Sequence, residues 1–130
     1  MPTRVTTPHT WSGAYPADPA CIAEARRFLA AVMGGCPAAS DAVLCISELA
    51  TNSVLHSASR QPGGTFTVYA EMHPDYAWIE VRDNGGPWKE PGHRDDRPHG
   101  LGIVRELAAD WGIDGDALTG WIVWARLEWP

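Results

Sequence analysis

Residues 65–83 read Thr65-Phe66-Thr67-Val68-Tyr69-Ala70-Glu71-Met72-His73-Pro74-Asp75-Tyr76-Ala77-Trp78-Ile79-Glu80-Val81-Arg82-Asp83. Phe66, Val68, Ala70 and Met72 alternate with Thr67, Tyr69 and Glu71. Ala77, Ile79 and Val81 alternate with Trp78, Glu80 and Arg82. A period of two sends one set to a core and the other to the opposite face, which predicts strands over 65–73 and 77–83. His73-Pro74-Asp75 is a turn by composition, so the two runs form a hairpin. Upstream the period is helical. Asp18-Pro19 has the form of an N-cap followed by proline at the first helical position. Ile22, Ala25, Phe28, Leu29 and Val32 then recur at helical spacing until Gly34-Gly35. A second helix starts near Ser40-Asp41 and keeps its period through Val43, Leu44, Ile46, Leu49, Ala50, Val54 and Leu55, to about residue 58. Residues 59–64 are a turn.

Downstream, Asp83-Asn84-Gly85-Gly86-Pro87 ends the strand, and residues 88–99 have the composition of a solvated loop. Helical spacing returns over 100–111 through Leu101, Val104, Leu107 and Ala108, and residues 120–129 alternate as a last strand. The first ten residues, with Pro2 and Pro8, predict a loose arm or a short edge strand around Trp11. The expectation is an α+β fold: a two-layer sandwich with helices on one face of a mainly antiparallel sheet. Residues 1–10 are the arm and 11–130 a single domain.

The chain has 130 residues, of which 10 are lysine or arginine and 16 aspartate or glutamate, for a net charge of −6. That length suits one core rather than two. The acidic balance argues against nucleic acid as a direct partner, because neutralising phosphates requires a basic surface. No apolar run is long enough to span a membrane, and Met1-Pro2-Thr3-Arg4 does not open a signal peptide. Three cysteines without a C-x-x-C pair predict reduced thiols in a cytoplasmic protein.

Three motifs carry chemistry. Glu48, Asn52 and His56 are spaced i, i+4, i+8 and share a stripe on the second helix. A carboxylate beside a carboxamide suits Mg²⁺ held on a polyphosphate, since that hard cation takes oxygen ligands and keeps most of its waters. The carboxylate could also deprotonate an attacking hydroxyl. The same spacing fits the exposed face of any amphipathic helix. Asp83-Asn84-Gly85-Gly86 follows a strand, where a carboxylate can accept a hydrogen bond from the exocyclic amine of adenine; it also fits a plain turn. His99-Gly100-Leu101-Gly102 opens the third helix and exposes backbone N–H groups to an anion, a weak signal alone. His93, Asp95, Asp96 and His99 have no metal-ligand spacing and read as part of the solvated loop.

In this order, the three motifs resemble those of the GHKL ATPase superfamily, and the chain looks most like the small anti-sigma factor serine kinases abundant in actinobacteria. The resemblance covers roughly residues 11–128. Glu48 through His56 is similar to the N box, Asp83-x-Gly85 to the first glycine box and Gly100-x-Gly102 to the second, with residues 87–99 as a short ATP lid bearing Lys89, Arg94 and Arg97. It implies the Bergerat fold, ATP and Mg²⁺ as ligands, Asn52 as the Mg²⁺ ligand, Glu48 as the catalytic carboxylate and Asp83 as the adenine contact. Asn52, Asp83, Gly85, Gly100, Leu101 and Gly102 would form the nucleotide site. It also implies a sigma factor and a STAS-type anti-anti-sigma protein as partners, the latter phosphorylated on serine. The last strand reads Gly120-Trp121-Ile122-Val123-Trp124 where members often carry Gly-Lys-Thr-Val-Trp, whose threonine helps hold adenine. The alternative is a partner-binding module without catalysis, with a vestigial nucleotide site. A detached histidine-kinase ATPase domain fits less well, since no phospho-acceptor helices precede residue 11. Tyr69, Trp78 and Trp124 alternate onto the helix-free face, where a homodimer or partner contact could use them.

Overall fold

A computed structural model of the chain describes residues 9–56, 63–84 and 101–129. The elements run β1 (His9–Pro16), α1 (Pro19–Val32), α2 (Ala39–His56), β2 (Thr65–Met72), β3 (Tyr76–Arg82), α3 (Gly102–Leu107), β4 (Asp110–Asp116) and β5 (Gly120–Glu128). The strands form one antiparallel sheet in the order β1-β2-β3-β5-β4. The architecture is the expected α+β sandwich.

Local chemistry explains most of these boundaries. Asp18 sits in extended backbone and its carboxylate accepts from the Ala20 N–H at 2.9 Å, with Pro19 at the first helical position. Beyond Val32 the chain turns out through Gly35, whose φ of +82° is open to glycine. In the β2–β3 hairpin the His73 N–H donates to the Tyr76 carbonyl at 2.9 Å.

The alternation seen in residues 65–83 becomes the two faces of the sheet. Val68 pairs with Val81, and Val81 with Val123, a row of β-branched side chains across the centre. This row, with Phe66, Ile79, Ala125 and Leu127, packs under Leu29 of α1 and Cys45, Ile46 and Leu49 of α2, all of them buried. Burying each large apolar side chain contributes about 1.5–3 kcal/mol. Leu101 and Val104 add the start of α3 to the same core.

One expectation is corrected. The helix starting near residue 100 does not reach Trp111; it stops at Leu107, and residues 110–116 form an edge strand, β4. Leu101 and Val104 face the core as a helix requires, but Trp111 and Ile113 pack on it from a strand. Spacing of three between Ala108 and Trp111 mimics a helical turn across the joint. β1 is an eight-residue edge strand paired with β2 along its whole length. Cys45 is buried, whereas Cys21 and Cys36 are only half-buried, and all three are free.

The helix-free face carries the polar set. Trp78 and Trp124 stack with centroids 4.3 Å apart. Trp78 Nε1 donates to Glu80 Oε1 at 2.9 Å and Arg82 Nε to Glu80 Oε2 at 2.8 Å. Arg126 lies over the Tyr76 ring at 4.4 Å. Among the described residues, no helix is long and apolar enough to cross a membrane.

Candidate functional site

Glu48 lies on the middle of α2, on the flank that meets α3. Its Oε2 accepts from the Ile103 backbone N–H at 3.0 Å. Burial pushes its carboxyl above the usual glutamate range, and hydrogen bonds from the Ile103 and Val104 backbone partly oppose the shift. A carboxylate held this way is more basic than an exposed one, as proton abstraction requires.

Asn52, one helical turn on, lines the same pocket. The described walls of this cavity of about 230 Å³ are Leu44, Ser47, Glu48, Thr51, Asn52 and Ile103. The structure thus brings together two of the expected residues, and Gly102 at the start of α3 directly precedes Ile103. A side chain at Gly102 would meet nothing within 4 Å. Leu101 is buried and serves the core. The Thr51 hydroxyl donates to the Ser47 carbonyl at 2.6 Å, within its own helix. Ser47, Thr51 and the Ile103 N–H were not among the expected site residues. Ser47 and Thr51 each precede an expected residue by one, which is the signal that could have found them. Ile103 reaches Glu48 only through the tertiary fold.

Asp83 stands just beyond β3. Its Oδ1 accepts from the Trp121 N–H at 3.0 Å, and its own N–H donates to the Trp121 carbonyl at 3.0 Å. The carboxylate is therefore fixed to the start of β5. Gly120 makes this possible: its φ is +116°, and a Cβ there would lie 2.6 Å from the Asp83 carbonyl oxygen. Asn84 Oδ1 accepts from the Thr65 N–H at 2.8 Å, tying the same corner to β2. Ile122, at the position where the resembling proteins often carry threonine, alternates with buried Trp121 and Val123 and so faces away from the helix layer. Its side chain does not line the Glu48 pocket.

Gly85, Gly100, the lid over 87–99 with its cations and the His93 to His99 cluster lie outside the described residues, as does the side chain of His56. Ser47, Glu48, Thr51 and Asn52 offer hard oxygen donors around one pocket, a set whose chemistry suits Mg²⁺ better than a soft metal.

A model for the histidine kinase-like ATPase domain matches residues 15–126, most of the chain. No curated protein matches it.

Proposed function

Because the chain belongs to the histidine kinase-like ATPase domain family, a membership that supports ATP binding, we propose that it is an anti-sigma factor with protein serine kinase activity toward a STAS-type anti-anti-sigma protein. The observation that carries the reading is the meeting of Glu48 and Asn52 in one pocket against the start of α3. In this reading Asp83 holds the adenine amine, Asn52 would hold Mg²⁺, and Glu48 takes the proton of the attacking serine. The serine Oγ bonds to the γ-phosphorus as the bond to the ADP oxygen breaks, and the Oγ proton passes to the Glu48 carboxylate. Mg²⁺, when bound with the triphosphate, supplies charge neutralisation. The site residues, the sigma factor and antagonist partners and a cytoplasmic setting all belong to this proposal.

The test is incubation of the purified chain with Mg²⁺, γ-labelled ATP and a panel of STAS-domain proteins. Label on a serine of one antagonist, lost with Glu48→Ala, is the expected result. One observation favours the partner-binding alternative: the last strand carries Ile122 where the resembling proteins often carry threonine. ATP binding and partner capture without label transfer to any antagonist would select that alternative.

A further inference from the structure

A second cavity of about 420 Å³ opens on the outer side of the helix pair, lined by Ala30 of α1 and Ala39, Ser40, Val43 and Leu44 of α2. Its lining is apolar apart from the Ser40 hydroxyl. Leu44, 51% exposed, lines both this groove and the Glu48 pocket, so the two cavities lie on either side of one side chain. A single exposed leucine needs no explanation; one that walls both an apolar groove and a polar pocket sets the two side by side.

Charge supplies the rest. Arg26 and Arg27 precede Ala30 by four and three residues and so share its side of α1. Both are exposed. Neither guanidinium makes an ion pair or hydrogen bond among the described residues. The end of α1 meets the start of α2 at the groove, so the helices run in opposite senses, and one turn back along α1 leads toward Glu48. Asp41, in the first turn of α2, lies at the other end. In a chain of net charge −6, two exposed arginines beside an apolar groove complement an acidic partner.

We propose that this groove seats an apolar side chain carried in an acidic segment of the protein acceptor, and so delivers that acceptor to Glu48. The inference rests on the kinase reading for the acceptor's identity, and on the groove alone for its chemistry.

The probe is a displayed library of random short peptides, selected on the full chain in the presence of Mg²⁺ and ATP. Enriched peptides should carry a leucine, isoleucine, phenylalanine or methionine among aspartates and glutamates. The synthetic winner should bind about tenfold more weakly to Ala30→Glu and to the Arg26→Glu/Arg27→Glu pair, with the loss growing at low salt. Ala30→Gln separates bulk from charge and should weaken binding less than Ala30→Glu. ATP affinity, read by calorimetry on the same variants, should not change. Selection of no acidic-apolar motif, or winners indifferent to both charge variants, would overturn the proposal. So would an Ala30→Glu chain that turns from dimer to monomer in sedimentation, since a second copy would then be the occupant. A wild-type chain that binds no ATP would instead count against the kinase reading.

Discussion

Asp83→Asn separates the bond that the Asp83 carboxylate makes to the start of β5 from the adenine contact proposed for it. Oδ1 accepts from the Trp121 N–H at 3.0 Å in a part-buried setting. Asparagine keeps an amide oxygen for that bond, so the β3–β5 corner should survive. It replaces the other oxygen with an NH₂ group, which donates where a carboxylate accepts and therefore cannot receive the adenine amine. Losing a hydrogen bond to a charged acceptor costs about 1.5–3 kcal/mol, a ten- to 150-fold weakening of ATP. Asp83→Ala removes both functions and leaves the Trp121 N–H without this acceptor, adding about 1–3 kcal/mol of lost stability. Isothermal calorimetry with ATP and urea unfolding of all three chains make the comparison. Asparagine should lose nucleotide and keep its midpoint, while alanine should lose both. Equal ATP affinity for wild type and Asp83→Asn would refute the adenine assignment.

What could be read in the sequence was whatever one element decides by itself. The hairpin was legible because Phe66 to Met72 and Ala77 to Val81 alternate without a break, and each alternation alone names the buried face. That Glu48 and Asn52 share one stripe was legible because one helix with a fixed pitch sets their separation; their assigned roles came from the resemblance. β4 was not: its seven residues include three aspartates and two glycines, all poor strand formers, and only pairing with β5 makes them extended. Its turn did leave a trace. Asp116 Oδ1 accepts from the N–H groups of Leu118 and Thr119 and from the Thr119 hydroxyl, and an Asp before Gly120 is the composition of such a turn. The bonds from Ile103 to Glu48 and from Trp121 to Asp83 join residues 55 and 38 positions apart. No local pattern encodes them, because they exist only once helix and sheet layers have closed. The Trp78–Trp124 stack is similar. Alternation places both rings on one face, but their contact depends on the β3–β5 register, in which Trp78 faces Arg126 and Trp124 faces Glu80.

Glu48 should show its raised pKa in two ways. The proposed phosphoryl transfer should gain its active base only at a pH above the ordinary glutamate range; an acid limb at or below that range in a pH–rate profile would contradict the burial argument. Because the folded value lies above the unfolded one, the stability Glu48 contributes is full below the unfolded pKa. It is lost as pH rises through the folded pKa, and Glu48→Gln should flatten that loss in urea midpoints measured across the interval. The Cys45 thiol is pushed up to about 12 by burial, with the Glu48 and Asp41 carboxylates adding. A thiol reagent at neutral pH should therefore spare Cys45 in the native chain and label it only after unfolding, as peptide mapping would show. The last prediction concerns the stacked indoles. Trp124 also covers Gly112, where a Cβ would lie 2.6 Å from its ring, so Gly112→Ala should displace Trp124 and weaken the stack without replacing either indole. Stacked aromatic pairs contribute about 0.5–1.5 kcal/mol beyond their buried area. A cycle of Trp78→Ala, Trp124→Ala and the double variant, followed by urea unfolding, should return a coupling of that size. If the same face also joins two chains, the double variant should sediment as a smaller species while ATP binding persists. Additive single losses, with Gly112→Ala leaving the fluorescence of both indoles unchanged, would mean that the rings share a face without holding each other.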